Sequence, residues 1–138
     1  MRQLKVLLIQ PSNKDCVKSL FSIYNAEEGI GFKPPIGLLY IGTAIKEMTK
    51  HHVKIIDCQL ENITHKNILN FVRETYDVIG ISAWTDFWYQ AFNMAKKLKQ
   101  KFPNTHIVMG GPHVNIFPDE ILKFEFIDSI ILGDGEIP

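Results

Sequence analysis

Apolar residues gather into short runs at Leu4 to Gln10, Val53 to Asp57, Val78 to Ser82, Ile107 to Met109 and Ser129 to Leu132. These runs are rich in Val and Ile and nearly continuous in apolarity, the pattern of strands covered on both faces. Between them the spacing changes to three and four residues, the period of a helix. The first helix opens at Pro34-Pro35, carries Ile36, Leu39, Tyr40, Thr43, Ala44 and Met48 at that spacing, and ends near Lys50. Thr64 is placed to cap a second, with Ile68, Leu69 and Val72 facing inward. Asp86 is placed to cap a third, which turns Phe87, Ala91, Met94, Ala95 and Leu98 inward, carries Lys96, Lys97 and Lys99 outward or near its end, and stops before Pro103. A shorter fourth runs from about Pro118 to Lys123.

Regular alternation of strand and helix, joined by right-handed crossovers, restricts the topology to doubly wound sheets. The expected fold is α/β and flavodoxin-like: a doubly wound, five-stranded parallel sheet in the order 2-1-3-4-5, with helices on both faces. Strands one and three then flank the switch point, and the turns after strands one, three and four share one rim. Two features break the pattern. Pro11 to Lys33 is a long connection, in which a short helix around Val17 to Tyr24 is expected. Gly133-Asp134-Gly135-Glu136 follows the last strand like the start of another helix or loop, so residues 1–138 read as one domain, an N-terminal fragment of something longer.

Composition narrows the function classes. A chain of 138 residues supports one domain, and 15 basic against 15 acidic residues give no concentrated positive surface for a nucleic acid. The apolar runs fall short of the roughly 20 residues that span a bilayer. Met1 to Lys5 lead straight into a strand pattern without a cleavage site, so a cytoplasmic location and no membrane partner are expected. Cys16 and Cys58 match neither a metal knuckle nor a redox pair and read as reduced thiols.

Sequence-local catalytic signatures do not appear. There is no nucleophile elbow, His-Glu-x-x-His pair or phosphate-binding loop, and Gly29-Ile30-Gly31 lacks the third glycine of a dinucleotide fingerprint. Gln10-Pro11 and Ser82 stand where a phosphorelay receiver places its acidic pair and phospho-accepting aspartate. The turn Pro11-Ser12-Asn13-Lys14-Asp15 offers hydroxyl and amide groups for a flavin phosphate but no glycine. What stands out is a pair of strand-end turns, Ser82-Ala83-Trp84-Thr85 and Gly110-Gly111-Pro112-His113. Paired glycines there admit close approach of a bulky ligand, or else simply form a tight turn, while Ser82 and Thr85 offer hydroxyls. His113 reads as a hydrogen-bonding rim residue ahead of a metal ligand; His51, His52, His65 and His106 read as solvated surface.

In order along the chain, Lys5-Val6-Leu7-Leu8-Ile9-Gln10-Pro11, Pro34-Pro35-Ile36-Gly37-Leu38-Leu39-Tyr40-Ile41, Val53-Lys54-Ile55-Ile56-Asp57, Val78-Ile79-Gly80-Ile81-Ser82, Ile107-Val108-Met109-Gly110-Gly111-Pro112-His113 and Gly133-Asp134-Gly135-Glu136 form a familiar series. It resembles the N-terminal cobalamin-binding domain of cobalamin-dependent radical S-adenosylmethionine enzymes, a group with methyltransferases and the anaerobic magnesium-protoporphyrin IX monomethyl ester cyclases among its members. The resemblance implies that the cobalamin nucleotide tail enters beside Ser82, Thr85, Gly110 and Gly111, with Ala83, Trp84 and Pro112 also in the cofactor site. It further implies that Pro11, Ser12 and His113 line the rim under the corrin, and that Gly133, Gly135 and Glu136 complete the cofactor site. Modules of the methionine synthase type ligate cobalt through a histidine after strand one, but residues 11–34 contain none, so a base-off cofactor without that ligand is expected. Trp84 and Trp88 read as aromatic packing, or, for Trp84, as a cover for the lower corrin face.

The resemblance also implies S-adenosylmethionine and an iron-sulfur cluster in a downstream domain, since no Cys-x-x-x-Cys-x-x-Cys triad occurs here. The fragment alone is expected to be non-catalytic, its parent a methyltransferase or cyclase. Two other readings stay open: a flavin- or nucleotide-binding flavodoxin-like module, and a non-catalytic docking domain presenting an apolar face around Phe117, Phe124 and Phe126.

Overall fold

The computed structural model describes residues 2–14 and 34–136. Its strands are β1 (Lys5–Gln10), β2 (His52–Asp57), β3 (Val78–Ser82), β4 (His106–Gly110) and β5 (Ser129–Ile130), all parallel and ordered β2-β1-β3-β4-β5. The expected topology is therefore the observed one. Register aligns the carboxyl ends: Gln10 pairs with Asp57, Ile9 with Ile81, and Ser82 with Gly110.

Successive strand residues point to opposite faces, which divides the core in two. Leu7, Ile9, Ile79, Ile81, Ile107 and Met109 are buried on one face against the helices α2 (Ile68–Phe71) and α3 (Trp88–Lys101). Val114 and Ile121 join that core from the short helices α4 (Pro112–Ile116) and α5 (Pro118–Ile121). The opposite face carries Val6 and Leu8 against Leu38, Ile41 and Ile45 of α1 (Ile36–Met48).

The inward face of α1 differs from the expected stripe. Leu38 and Gly42 are the buried positions, whereas Ile36, Leu39, Tyr40 and Met48 are exposed. With Ile36, Leu38, Leu39, Tyr40, Ile41, Ala44 and Ile45 the helix is apolar nearly all round, so its periodicity selects no face.

Capping also differs. Asn67, rather than Thr64, is the N-cap residue of α2 and makes no side-chain cap; its Oδ1 accepts instead from the Thr64 amide at 2.7 Å. Asp86 caps nothing: it sits within a 3-10 turn, Thr85–Phe87, that precedes α3, whose N-cap residue is Phe87 with no side-chain cap. On α3 itself Ala91, Met94, Ala95 and Leu98 are buried as expected, joined by Gln90, while Phe87 is only half-buried. Lys99 bends back to Asp128 at 2.8 Å and to the Thr105 carbonyl at 2.8 Å.

The short helix α4 begins directly after Gly110-Gly111, where only a turn was expected. Strand β5 is shorter than its apolar run. The helix expected around Val17 to Tyr24, together with Cys16 and Gly29 to Gly31, lies outside the described residues. Among the described residues no helix is long and apolar enough to cross a membrane.

Candidate functional site

Strand register brings the ends of β1, β3 and β4 to one rim, and the main chain then locks two of the three turns together. The Ala83 amide donates to the Gly110 carbonyl at 2.7 Å, and the His113 amide donates to the Ala83 carbonyl at 3.0 Å. Ser82, Ala83, Trp84 and Thr85 are thereby held against Gly110, Gly111, Pro112 and His113, with Pro11 and Ser12 following β1 alongside.

Gly111 is required by this brace. Its φ is 101° and ψ −179°, a combination essentially confined to glycine. A β-carbon there would lie 2.8 Å from the Ala83 carbonyl oxygen and 3.0 Å from the Ala83 nitrogen. Gly110 is different, since a β-carbon would meet only Ile131, at 3.8 Å. The room expected from two missing β-carbons is thus not a slot: the Ala83 main chain fills one position and Ile131 borders the other.

His113 is buried, stacked on Trp88 with ring centroids 5.0 Å apart and planes 11° from parallel, and tilted against Phe117 on its other flank. Its Nδ1 lies 3.4 Å from the Thr85 hydroxyl. Loss of water around the ring pushes its pKa below the ordinary histidine value, and the Glu120 charge opposes this only in part. The ring is a neutral structural plug under the rim, and Trp88 is its packing partner. Trp84, by contrast, is 47% exposed and stacks loosely on Phe87. Ile116 and Leu132 are exposed as well, and the half-buried Ser82 hydroxyl has no hydrogen-bond partner among the described residues. The accessible rim therefore combines apolar surface with a half-buried hydroxyl.

The turn after β1 is built inward. Ser12 is 1% exposed and its Oγ accepts from the Lys14 amide at 3.1 Å. The Lys14 carbonyl accepts at 3.0 Å from Nε2 of Gln90, a fully buried residue. Oε1 of Gln90 faces the His65 amide and His65 Nδ1, both at 2.9 Å. His65 is consequently buried, contrary to its reading as solvated surface; His52 and His106 are exposed, and His51 is half-buried with Nδ1 accepting from the Leu4 amide. Gln90 escaped notice because a polar residue between Tyr89 and Ala91 carries no sequence signal of its own.

At the far end of the site, the Gly133 amide donates to Asn115 Oδ1 at 2.9 Å. Gly135 packs on α1, where a β-carbon would fall 3.0 Å from Ile41 Cδ1, and Glu136 is half-buried. These residues turn from the rim onto the α1 flank. No group of three or more potential metal-ligating side chains occurs among the described residues. Cys58 is fully buried, its thiol pushed up to about 12 by burial and then by the Asp57 and Glu61 charges. Of the apolar face expected around Phe117, Phe124 and Phe126, the last two are half-buried and pack on Phe92, with centroids 4.7 and 4.9 Å away, while Phe117 leans on His113 and stays exposed.

A family model described as the B12 binding domain matches residues 31–138. An uncharacterized methyltransferase of Pyrococcus horikoshii is 32% identical over 139 residues, a match spanning 99% of this chain and 28% of the relative. Anaerobic magnesium-protoporphyrin IX monomethyl ester cyclase of Cereibacter sphaeroides is 28% identical over 108 residues, spanning 77% of this chain and 18% of that protein. Among solved structures, the cobalamin-dependent S-adenosylmethionine radical enzyme OxsB, with aqua-cobalamin and S-adenosylmethionine bound, superposes with a TM-score of 0.72. That superposition covers 97% of this chain and 17% of OxsB at 15% identity, a likeness of fold. The chain spans 28% or less of the length of each of these proteins.

Proposed function

This chain belongs to the B12-binding domain family, and on that premise we propose that it holds cobalamin over the carboxyl ends of β1, β3 and β4. The observation that carries the reading is the braced pair of turns: main-chain bonds from Ala83 to Gly110 and from His113 to Ala83 fix a platform. Exposed Trp84, Ile116 and Leu132 border it, and the Ser82 hydroxyl is unengaged among the described residues. That combination fits a ligand with large apolar faces and a polar nucleotide tail. Pro11, Ser12, Ser82 to Thr85 and Gly110 to His113 form the platform and its edge, and Gly133, Gly135 and Glu136 close its flank.

The cofactor is held base-off. Residues 11–34 contain no histidine, and His113 is committed to Trp88, Phe117 and Thr85, so no imidazole of the rim replaces the displaced base. Trp84 supplies an aromatic surface facing the ligand. Bound cobalamin supplies methyl transfer or radical chemistry. The domain presents it to a following radical S-adenosylmethionine domain with an iron-sulfur cluster, in a parent that methylates its substrate or closes a ring; the methyltransferase and the cyclase among the relatives support this. A flavin phosphate is served poorly, since the Ser12 side chain is drawn into its own turn.

The test is direct. Mixed with hydroxocobalamin and passed through gel filtration, the chain should co-elute with pigment whose absorbance has shifted to the base-off form. Eluted protein without pigment refutes cobalamin binding, and a retained base-on spectrum refutes the ligation state alone.

A further inference from the structure

Resting on the cobalamin reading, we infer that Gln90 is the positioning residue of the cofactor site, the strut that holds the turn after β1 in its binding conformation. It lies on the first turn of α3, touches none of the rim side chains discussed above, and is completely buried. A buried carboxamide retains its place only when both ends are bonded, because an unpaired amide in the interior carries a full desolvation penalty. Both ends are bonded here, to two different loops. Nε2 donates to the Lys14 carbonyl beyond β1, while Oε1 accepts from the His65 amide and from Nδ1 in the loop beyond β2.

Two further side-chain bonds hold the turn among the described residues, one of them from Lys14 Nζ to Asn62 Oδ1. Within the turn, the Lys14 amide reaches back to Ser12 Oγ. No strand continues there, since β1 ends at Gln10. Gln90 thus ties the edge of the platform carrying Pro11 and Ser12 to α3, which also follows from the Ser82–Thr85 turn. With the pairing of Ile9 on Ile81, this side chain links both borders of the site. Without it the turn must be ordered when the ligand arrives, and that ordering is subtracted from affinity.

Two substitutions separate this role from simple core support. Gln90→Glu, with its carboxyl ionised at alkaline pH, keeps an acceptor for both His65 donors and has no donor for Lys14; Gln90→Met fills the space and removes every bond. In the full 138-residue chain, hydroxocobalamin titration well below the melting transition should show Gln90→Glu weakening Kd about two- to tenfold, the equivalent of one hydrogen bond. Amide exchange at Lys14 should accelerate in the free variant, and the spectrum at saturation should match the native complex. Should Gln90→Glu not fold, Gln90→Met carries the same comparison and is expected to weaken Kd at least as much. A folded variant with a lowered melting temperature but native Kd overturns the inference alone. A native chain that takes up no hydroxocobalamin removes the functional reading and this inference with it.

Discussion

Substituting Gly111 by alanine tests whether the rim is braced by its main chain. The added β-carbon would lie 2.8 Å from the Ala83 oxygen, 3.0 Å from its nitrogen and 3.2 Å from Ser82 Oγ, and the first two neighbours are backbone that cannot rotate away. Holding alanine at the Gly111 dihedrals costs about 1–3 kcal/mol. If the turns separate to relieve the contact, the bonds from Ala83 to Gly110 and from His113 to Ala83 weaken, at roughly 0.5–1.5 kcal/mol each. The expected loss is about 2–6 kcal/mol, a large part of the roughly 5–15 kcal/mol that stabilises a typical domain. Gly110→Ala is the control, since its β-carbon would make ordinary contact with Ile131 at 3.8 Å. It should change stability by under about 1 kcal/mol. Urea unfolding measures both, and the Gly111→Ala midpoint should fall by roughly 1–3 M for ordinary slopes. Equal midpoints for the two variants, or a larger drop for Gly110→Ala, would refute the brace.

Cys58, with its thiol near 12, should resist iodoacetamide at pH 8 in the folded chain and react in urea; peptide mass spectrometry distinguishes it from Cys16, and rapid labelling of folded Cys58 would contradict its burial. His113 has a folded-state pKa below the ordinary 6.5, so above that value both states are neutral and its stabilising contribution is complete. As pH falls through 6.5 the unfolded chain takes the proton more readily and stability declines. His113→Phe keeps the stacking without the titration, so between pH 7.5 and 5.5 its urea midpoint should fall less than the native one; equal declines would show that His113 contributes nothing to the acid sensitivity.

The sheet was legible because β1 and β3 are apolar on both faces, leaving covered parallel strands as the reading that fits short Val- and Ile-rich runs. The strand-end turns followed from topology, which brings Ser82 and Gly110 together once the order is known. Helix faces were less legible. The apolarity of α1 runs all round its circumference, and only packing of Leu38 and Ile41 on Val6 and Leu8 chooses its orientation. Asp86 matched a capping pattern but lies in a tight turn that precedes α3. His65 and Gln90 were hidden for a different reason: 25 positions separate them, and each becomes a core residue only because the other satisfies it. Gly111 left two readings open, ligand approach or a tight turn, because glycine in a sequence marks missing bulk without naming what lies beside it, here the Ala83 main chain.

Since the bonds joining the β3 and β4 turns run from peptide to peptide, the identities of the exposed residues 84 and 85 are decoupled from the integrity of their support. Mutational drift can recolour that surface, exchanging aromatic for aliphatic or hydroxyl for amide, while the scaffold below stays constant.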